Sequence, residues 1–518
     1  MKQMKQLPYL AEENGVHTLY VDDKPFIALS GELHNSSSSS LSYMEQNVWP
    51  HLRGLHLNTV IIPVFWELIE PKQGQFDFTL VEGIIKQARS ENVRLVLLWF
   101  GLWKNGKSSY VPGWVKKDGL TYFRACYLGQ ITTDTISPLC QAAVKADRAA
   151  FKALMAYLKE IDGEQHTVIM IQIENEMGFL NSDRDYSNEA NQQFSKPVPN
   201  TIGDIYGKSG NWSEVFGEEA GEYFMAYHYA SAVEQIAKAG AEVYPLPMFV
   251  NAWLEQYPWR AGSYPSGGPI AKVMKVWKAA APTICLYAPD IYLPNFAEIC
   301  EEYTASGNPL FIPEARRDIV SATNVFYAIG QHNALCFAPF GIEAFLAPID
   351  PNSDTIFDPN VLTALNINMS AFHLNGTGPY LAESYKLLGN MLGIIHQYRG
   401  TGKMKGFLQN QDSGCILSFT HYDLKLSYKQ PVEGKPISGG LVIELSDNQF
   451  ILAGIGFSVE VLPKIGESAK VGYIRIEEGV FEDDQWIRGR VLNGDESAYK
   501  ISVKRSASAL MIEAYKYE

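Results

Sequence analysis

Two glutamates set the chemistry this chain can do. Glu176 follows an apolar run in Ile171-Gln172-Ile173-Glu174-Asn175-Glu176-Met177-Gly178, and Glu314 closes another, Leu310-Phe311-Ile312-Pro313-Glu314. Two carboxyl groups on opposite sides of a glycosidic bond can cleave it, one protonating the leaving oxygen while the other attacks or activates water. Arg316 and Arg317, just after Glu314, are placed to keep its carboxylate ionised. Glu174 has the strand parity of Glu176 and is expected to be a buried structural carboxylate.

Groups at strand ends do chemistry together only where several strand ends converge. Short apolar runs at residues 59–66, 93–100, 167–175, 248–253, 283–287, 310–314 and 334–340 join a first strand ending at Gly31-Glu32. Between them, apolar residues recur at helical spacing, as at 80–90, 145–160 and 218–239, so strand and helix alternate as in a parallel barrel. The separation of residues 176 and 314 fits a repeat in which catalytic groups come from different strands. A hairpin, residues 17–30 with a turn at Asp22-Asp23-Lys24-Pro25, feeds the first strand. A helix is expected at 380–398, and Gly400-Thr401-Gly402 marks a junction. Beyond it, alternating runs at 440–445, 449–453, 457–462, 471–476, 486–491 and 499–503 predict a β-rich module. The expected class is α/β: a TIM (β/α)8 barrel with its N-terminal hairpin over residues 1–400, then an all-β sandwich over 401–518.

Length and composition are compatible with two such domains, at 518 residues and 46% hydrophobic content. A net charge of -14 argues against nucleic acid as a partner, because phosphate binding needs clustered Lys and Arg. No apolar run is long enough to cross a membrane, and the opening residues lack the apolar core of a signal peptide, so the expected location is cytoplasmic. The six cysteines are scattered without zinc-ligand spacing. No metal and no cofactor are expected; His34 and Lys104 are too isolated for a metal-dependent hydrolase or a Schiff-base enzyme. Sequence does not set the subunit number, and a homodimer is the working expectation.

Three stretches resemble the glycoside hydrolases of family 35, retaining β-galactosidases of the barrel clan that also holds family 42. They are Gly54-Leu55-His56-Leu57-Asn58-Thr59-Val60 leading into Phe65-Trp66-Glu67-Leu68-Ile69-Glu70-Pro71, then Gln172 to Gly178, then Phe311-Ile312-Pro313-Glu314-Ala315. The resemblance implies that Glu176 is the acid/base, Glu314 the nucleophile, and Asn175 the contact to the sugar 2-hydroxyl. It is greatest to a bacterial subgroup with an extra C-terminal β-domain, some of whose members trim galactose from plant cell-wall oligosaccharides. The implied partner is therefore an oligosaccharide or galactoside.

On the catalytic rim, Glu32, Asn105 and Tyr292 are candidates to hydrogen-bond sugar hydroxyls, and Trp66, Trp103 and Trp253 to stack on a sugar face. Ser36 to Ser40 read as a solvated loop. Two departures bear on the sugar. Ser30-Gly31-Glu32-Leu33-His34-Asn35 lacks the family's usual aromatic after the histidine, and Trp99 to Asn105 lacks its acidic residue. The alternatives are another exo-β-glycosidase of the clan (β-glucosidase, β-mannosidase or α-L-arabinopyranosidase) or a non-catalytic carbohydrate-binding barrel.

Overall fold

A computed structural model describes residues 6–348, 369–374, 376–498 and 501–518. Most of the polar stretch expected at 347–379 lies outside them. The N-terminus forms an antiparallel meander of Tyr9–Glu13 (β1), Val16–Val21 (β2) and Lys24–Phe26 (β3). Asp22 and Asp23 turn between β2 and β3 with φ of 54° and 63°, the left-handed pair that a two-residue hairpin needs.

Eight parallel strands follow with helices between them. They are Ala28–Leu29 (β4), Thr59–Phe65 (β5), Arg94–Lys104 (β6), then, after a small hairpin of Arg124–Tyr127 (β7) and Ile131–Ile136 (β8), Val168–Asn175 (β9), Met248–Trp253 (β10), Leu286–Asp290 (β11), Phe311–Ala315 (β12) and Cys336–Pro339 (β13). Five pair in the order β11-β10-β9-β6-β5 and three in the order β12-β13-β4. Single parallel bridges join the two groups, Glu32 to Ile61 on one side and Ile291 to Ala315 on the other. The pairing order thus returns to the strand where it began. Every residue of β5 and β9 is buried, as in parallel strands covered on both faces. The helix Thr79–Ser90 presents one apolar stripe, Val81, Ile84, Ile85 and Ala88, whereas Ala220–Ala241 is buried on most sides.

The C-terminal region is antiparallel. Its strands are Met404–Leu408 (β14), Gly414–Ser418 (β15), Tyr422–Tyr428 (β16), Gly439–Ser446 (β17), Gln449–Ile455 (β18), Phe457–Pro463 (β19), Lys470–Glu482 (β20), Gln485–Val491 (β21), Ile501–Ser502 (β22) and Ser508–Tyr517 (β23). They form one sheet in the order β14-β17-β18-β23-β20-β21 and a second in the order β15-β16-β19-β22. One apolar cluster takes Leu424, Leu426 and Val459 from the smaller sheet and Val442, Leu452 and Ile512 from the larger. The alternate residues Leu441, Ile443, Ile451 and Ala453 join the core of the parallel region instead, so the larger sheet is buried on both faces there. The contact is close: a Cβ on Gly330, in the helix Ser321–His332, would lie 2.6 Å from Leu441 Cβ.

Several expectations shift. The strand expected at 283–287 lies at Leu286–Asp290, and the third parallel strand continues to Lys104. The helix expected at 380–398 is two, Thr377–Gly389 and Leu392–Tyr398. The break is held from the C-terminal region, where the Asp484 N–H donates to the Asn390 carbonyl at 3.0 Å and the Gly393 N–H to Asp484 Oδ1 at 2.6 Å. Residues 499–500 of the last expected run lie outside the described residues. Among the described residues, no helix is long and apolar enough to cross a membrane.

Candidate active site

The carboxyl ends of β9, β11 and β12 converge. Glu176, just past β9, Asp290, the last residue of β11, and Glu314 in β12 each offer a carboxylate oxygen, and these oxygens lie within 4.8 Å of one another. All three residues are buried. At that separation two unit charges repel by about 3 kcal/mol for an effective dielectric near 20, so the trio cannot all ionise near neutrality. Burial, then the charge of Glu314, pushes Glu176 up to about 8, against the pull of Lys104. Burial and the charges of Glu314, Glu176 and Glu32 hold Asp290 well above the usual carboxylate range.

The chain bends sharply where β9 ends. Glu174 and Glu176 both have left-handed backbones, at φ 59° and 44°, a conformation that costs a non-glycine residue about 1–3 kcal/mol. Side-chain hydrogen bonds hold both. The Glu176 N–H donates to Asn251 Oδ1 at 2.9 Å. Asn251 Nδ2 therefore faces the other way, donating to Asp290 Oδ2 at 2.7 Å and Asn175 Oδ1 at 3.2 Å. Glu174 accepts from the N–H groups of Leu102 (3.0 Å) and Trp103 (2.7 Å), beside the buried Asp147, which accepts from Trp99 Nε1 at 2.8 Å. It braces the end of β6 and is absent from the trio.

Glu314 takes a hydrogen bond from the Tyr292 hydroxyl at 2.6 Å, and its Oε1 is buried without a partner. The arginines expected to neutralise it turn away. Arg316 pairs with Asp318, and the charge that acts on Arg317 is that of Glu343. Tyr292, read from sequence as a sugar contact, is half-buried, donates to Glu314 and stacks on Phe372.

Asn175 is fully buried; its Oδ1 accepts from Gln172 and Asn251, and its Nδ2 donates to Asn105 Oδ1 at 3.2 Å. One Nδ2 hydrogen is left for a ligand. Asn105 is thereby tied to Asn175, its own N–H donating to the Asn175 carbonyl. Glu32 is buried with neither oxygen hydrogen-bonded; burial and the charge of Glu314 keep it well above its usual range. Lys104, in register with Asn175, is the cation facing both Glu176 and Glu32.

Two of the three expected stacking tryptophans are core residues. Trp66 starts a short helix, is wholly buried, donates to Glu70 Oε2 at 2.8 Å and meets Trp114 edge-on. Trp103 is equally buried, donates to the Ile136 carbonyl at 2.9 Å and packs edge-on against Tyr229. Neither has a free face for a sugar. Trp253 is partly exposed at the end of β10, in register with Asp290.

The serine run is solvated only in part, with Ser36 and Ser39 exposed and its middle packed inward. Ser37 donates to Glu343 and Ser38 to the Pro63 carbonyl, each at 2.6 Å, and both are buried. With His34, Asn35, Phe340 and Glu343, Ser37 walls a cleft of about 1170 Å³ past the ends of β4 and β13. None of the trio lines that cleft.

Asp290, Asn251 and Lys104 went unassigned by sequence. Asp290 was placed beyond a strand thought to stop at Tyr287, and Asn251 lay inside a run read only as apolar; Asn251 and Asp290 end up at neighbouring strand ends because β10 and β11 pair in parallel. Among the described residues the trio is a group of carboxylates compact enough to approach a cation, with oxygen donors alone.

Comparison with known proteins agrees with the sequence resemblance. A β-galactosidase of Xanthomonas manihotis is 28% identical over 182 residues, covering 34% of this chain and 28% of that protein. The chain thus matches little more than a quarter of that relative's length. Among solved structures, β-galactosidases of Bacillus circulans sp. alkalophilus (16% identity, TM-score 0.43) and Rahnella sp. R3 (11%, TM-score 0.42) each align over 61% of this chain and 50% of their own. A β-amylase catalytic domain of Paenibacillus polymyxa aligns over 55% of this chain and 85% of its own, at 11% identity and a TM-score of 0.40. Likenesses at these scores say nothing of function. Residues 381–504 match a domain of unknown function, DUF5597, that begins within the helix Thr377–Gly389. Residues 18–242, which include Glu32, Lys104, Asn175 and Glu176 but stop short of Asp290 and Glu314, match glycosyl hydrolases family 35, so the family resemblance read from the sequence holds for this part of the chain.

Proposed function

We propose that this chain is a retaining, exo-acting β-galactosidase that removes terminal β-galactosyl residues from oligosaccharides. Its frame in this reading is a (β/α)8 barrel over residues 1–400 carrying a C-terminal β-sandwich over 401–518. The observation that carries the proposal is the approach of Glu176 and Glu314 to within 4.8 Å, oxygen to oxygen, at the ends of two parallel strands. Carboxyl groups about 5–5.5 Å apart suit double displacement, whereas an inverting enzyme needs about 6.5–9.5 Å to admit a water.

The steps follow from the environments. Glu176, protonated at neutral pH, gives its proton to the glycosidic oxygen as that bond breaks, while Glu314, held by Tyr292, bonds to the anomeric carbon. The glycosyl-enzyme then reacts with water, whose proton returns to Glu176. Glu32, Asn175, Asn105 and Trp253 remain the proposed sugar contacts; no cofactor or metal enters.

A chromogenic β-galactoside assay tests the activity, and a panel of aryl glycosides tests the sugar. Turnover of the galactoside in preference to the glucoside, mannoside and arabinopyranoside supports the reading. Preference for another sugar would transfer the same chemistry to another exo-glycosidase, and no turnover of any would leave a binding protein.

A further inference from the structure

Asp290 has no role in double displacement as described, yet its carboxylate lies within 4.8 Å of those of both Glu176 and Glu314. Its surroundings do not support an ion. It is 3% exposed. Oδ2 accepts a hydrogen bond from Asn251 Nδ2, Oδ1 has no N–H donor, and the side chain meets that of Glu176 carboxyl to carboxyl, a contact that needs a proton on one of the two. Among the described residues no cation is recorded acting on it: Lys104 acts on Glu176 and Glu32, while Arg316 pairs with Asp318. A buried carboxylate persists as an ion only when paired or held by several donors.

We propose that Asp290 is a positioning residue that stays a neutral carboxylic acid through the catalytic cycle, facing whichever of Glu314 and Glu176 carries the negative charge. This rests on the reading of Glu176 and Glu314 as acid/base and nucleophile. Before the first step the charge is on Glu314 and the proton on Glu176. When the glycosidic C–O bond breaks, its electron pair goes to the leaving oxygen, which takes the proton from Glu176. The Glu314–carbon bond forms, and the charge moves to Glu176. Water reverses both changes. The trio holds one negative charge at each stage, and the Asp290 proton never leaves.

The groups facing Asp290 agree with this. Glu314, Glu176 and Glu32 each disfavour its ionised form from in or beyond different strands, and the hydroxyls of Tyr292 and of Tyr303, in the helix Phe296–Thr304, are neutral neighbours. The orientation of Asn251 also fixes what an amide at position 290 would do. Its oxygen would accept from Asn251 Nδ2, leaving its NH2 where a protonated Oδ1 would donate.

Asp290→Asn and Asp290→Ala in the full chain test this, by aryl-galactoside kinetics from pH 5 to 9 and by infrared difference spectra against wild type at pH 7. Asp290→Asn is expected to keep kcat within about tenfold of wild type, to leave the basic limb of kcat/KM within about half a pH unit, and to lose one protonated-carboxyl band. Asp290→Ala is expected to lose the same band and at least a further tenfold in kcat. The proposal is overturned if Asp290→Asn removes an ionised-carboxylate band instead, moves the basic limb down by a unit or more, or is as inactive as Asp290→Ala. It is also overturned if Asp290→Asn loses activity only on substrates with poor leaving groups, which would make Asp290 the proton donor. If wild type hydrolyses no glycoside, the functional reading fails, while the band still reports the state of Asp290.

Discussion

The backbone N–H of Glu176 donates to Asn251 Oδ1 at 2.9 Å, and that one bond orients the Asn251 amide whose other end holds Asp290 and Asn175. A side chain from β10 thus fixes the strained end of β9 and the end of β11 together. Asn251→Ala leaves a buried N–H and two buried acceptors short of a partner, each worth about 1–3 kcal/mol. The variant is expected to lower kcat/KM by about 100-fold and to unfold at lower urea concentration than wild type. Kinetics near wild type would mean that Asn251 does not set the site.

The Tyr292 hydroxyl lies 2.6 Å from Glu314 Oε2, a short hydrogen bond to the proposed nucleophile. Tyr292→Phe keeps the ring on Phe372 and removes only that bond. We expect kcat/KM to fall about 10- to 100-fold with an unchanged thermal midpoint, a loss of about 1.5–3 kcal/mol in transition-state binding. A changed KM with normal kcat would return Tyr292 to the sugar-contact role read from the sequence.

In the proposed mechanism the acid form of Glu176 sets the upper pH limit. Burial and the charge of Glu314 raise it to about 8, so the proton needed for the first step is present at pH 6–7 and is lost as pH rises through about 8. The basic limb of kcat/KM should fall there. The same raised value disfavours the folded state as pH rises, since the unfolded carboxyl ionises near its ordinary 4.5 and the folded one does not until about 8. This contribution to stability is full below about 4.5 and has gone above about 8. A basic limb near pH 5 would contradict the acid assignment.

Gly101 makes room for the buried acids that brace β6. A Cβ there would lie 2.4 Å from Asp147 Oδ2 and 2.6 Å from Glu174 Oε1, neither of which has space to move. Gly101→Ala is expected to destabilise the chain by about 1–3 kcal/mol in urea unfolding. Stability equal to wild type would show that the end of β6 yields more readily than its packing implies.

The convergence of Glu176 and Glu314 was legible because Glu314 directly follows the apolar run 310–313 and Glu176 lies a few residues past the apolar run 168–171, a signal of period and position that needs no knowledge of packing. Asp290 was not, because Pro289 makes Ala288-Pro289-Asp290 read as a loop, although β11 carries the proline at a position that pairs with Ala252. Trp66 and Trp103 were read as sugar platforms from their place at strand ends. Which way an indole turns there depends on partners distant in sequence, Trp114 for one and Tyr229 for the other. Arg316 stands two residues after Glu314 and would share its side in a continuing strand, but the strand ends at Ala315 and Arg316 pairs with Asp318 instead. The strand order of the C-terminal sheets, with β23 between β18 and β20, joins segments whose partners no local pattern specifies.

The most direct test of the central claim is Glu314→Ala assayed on an activated β-galactoside with and without azide. If Glu314 is the nucleophile, the variant is inactive alone, and azide restores turnover while forming the α-configured galactosyl azide. Activity without azide, or a rescued product of retained β configuration, would contradict it.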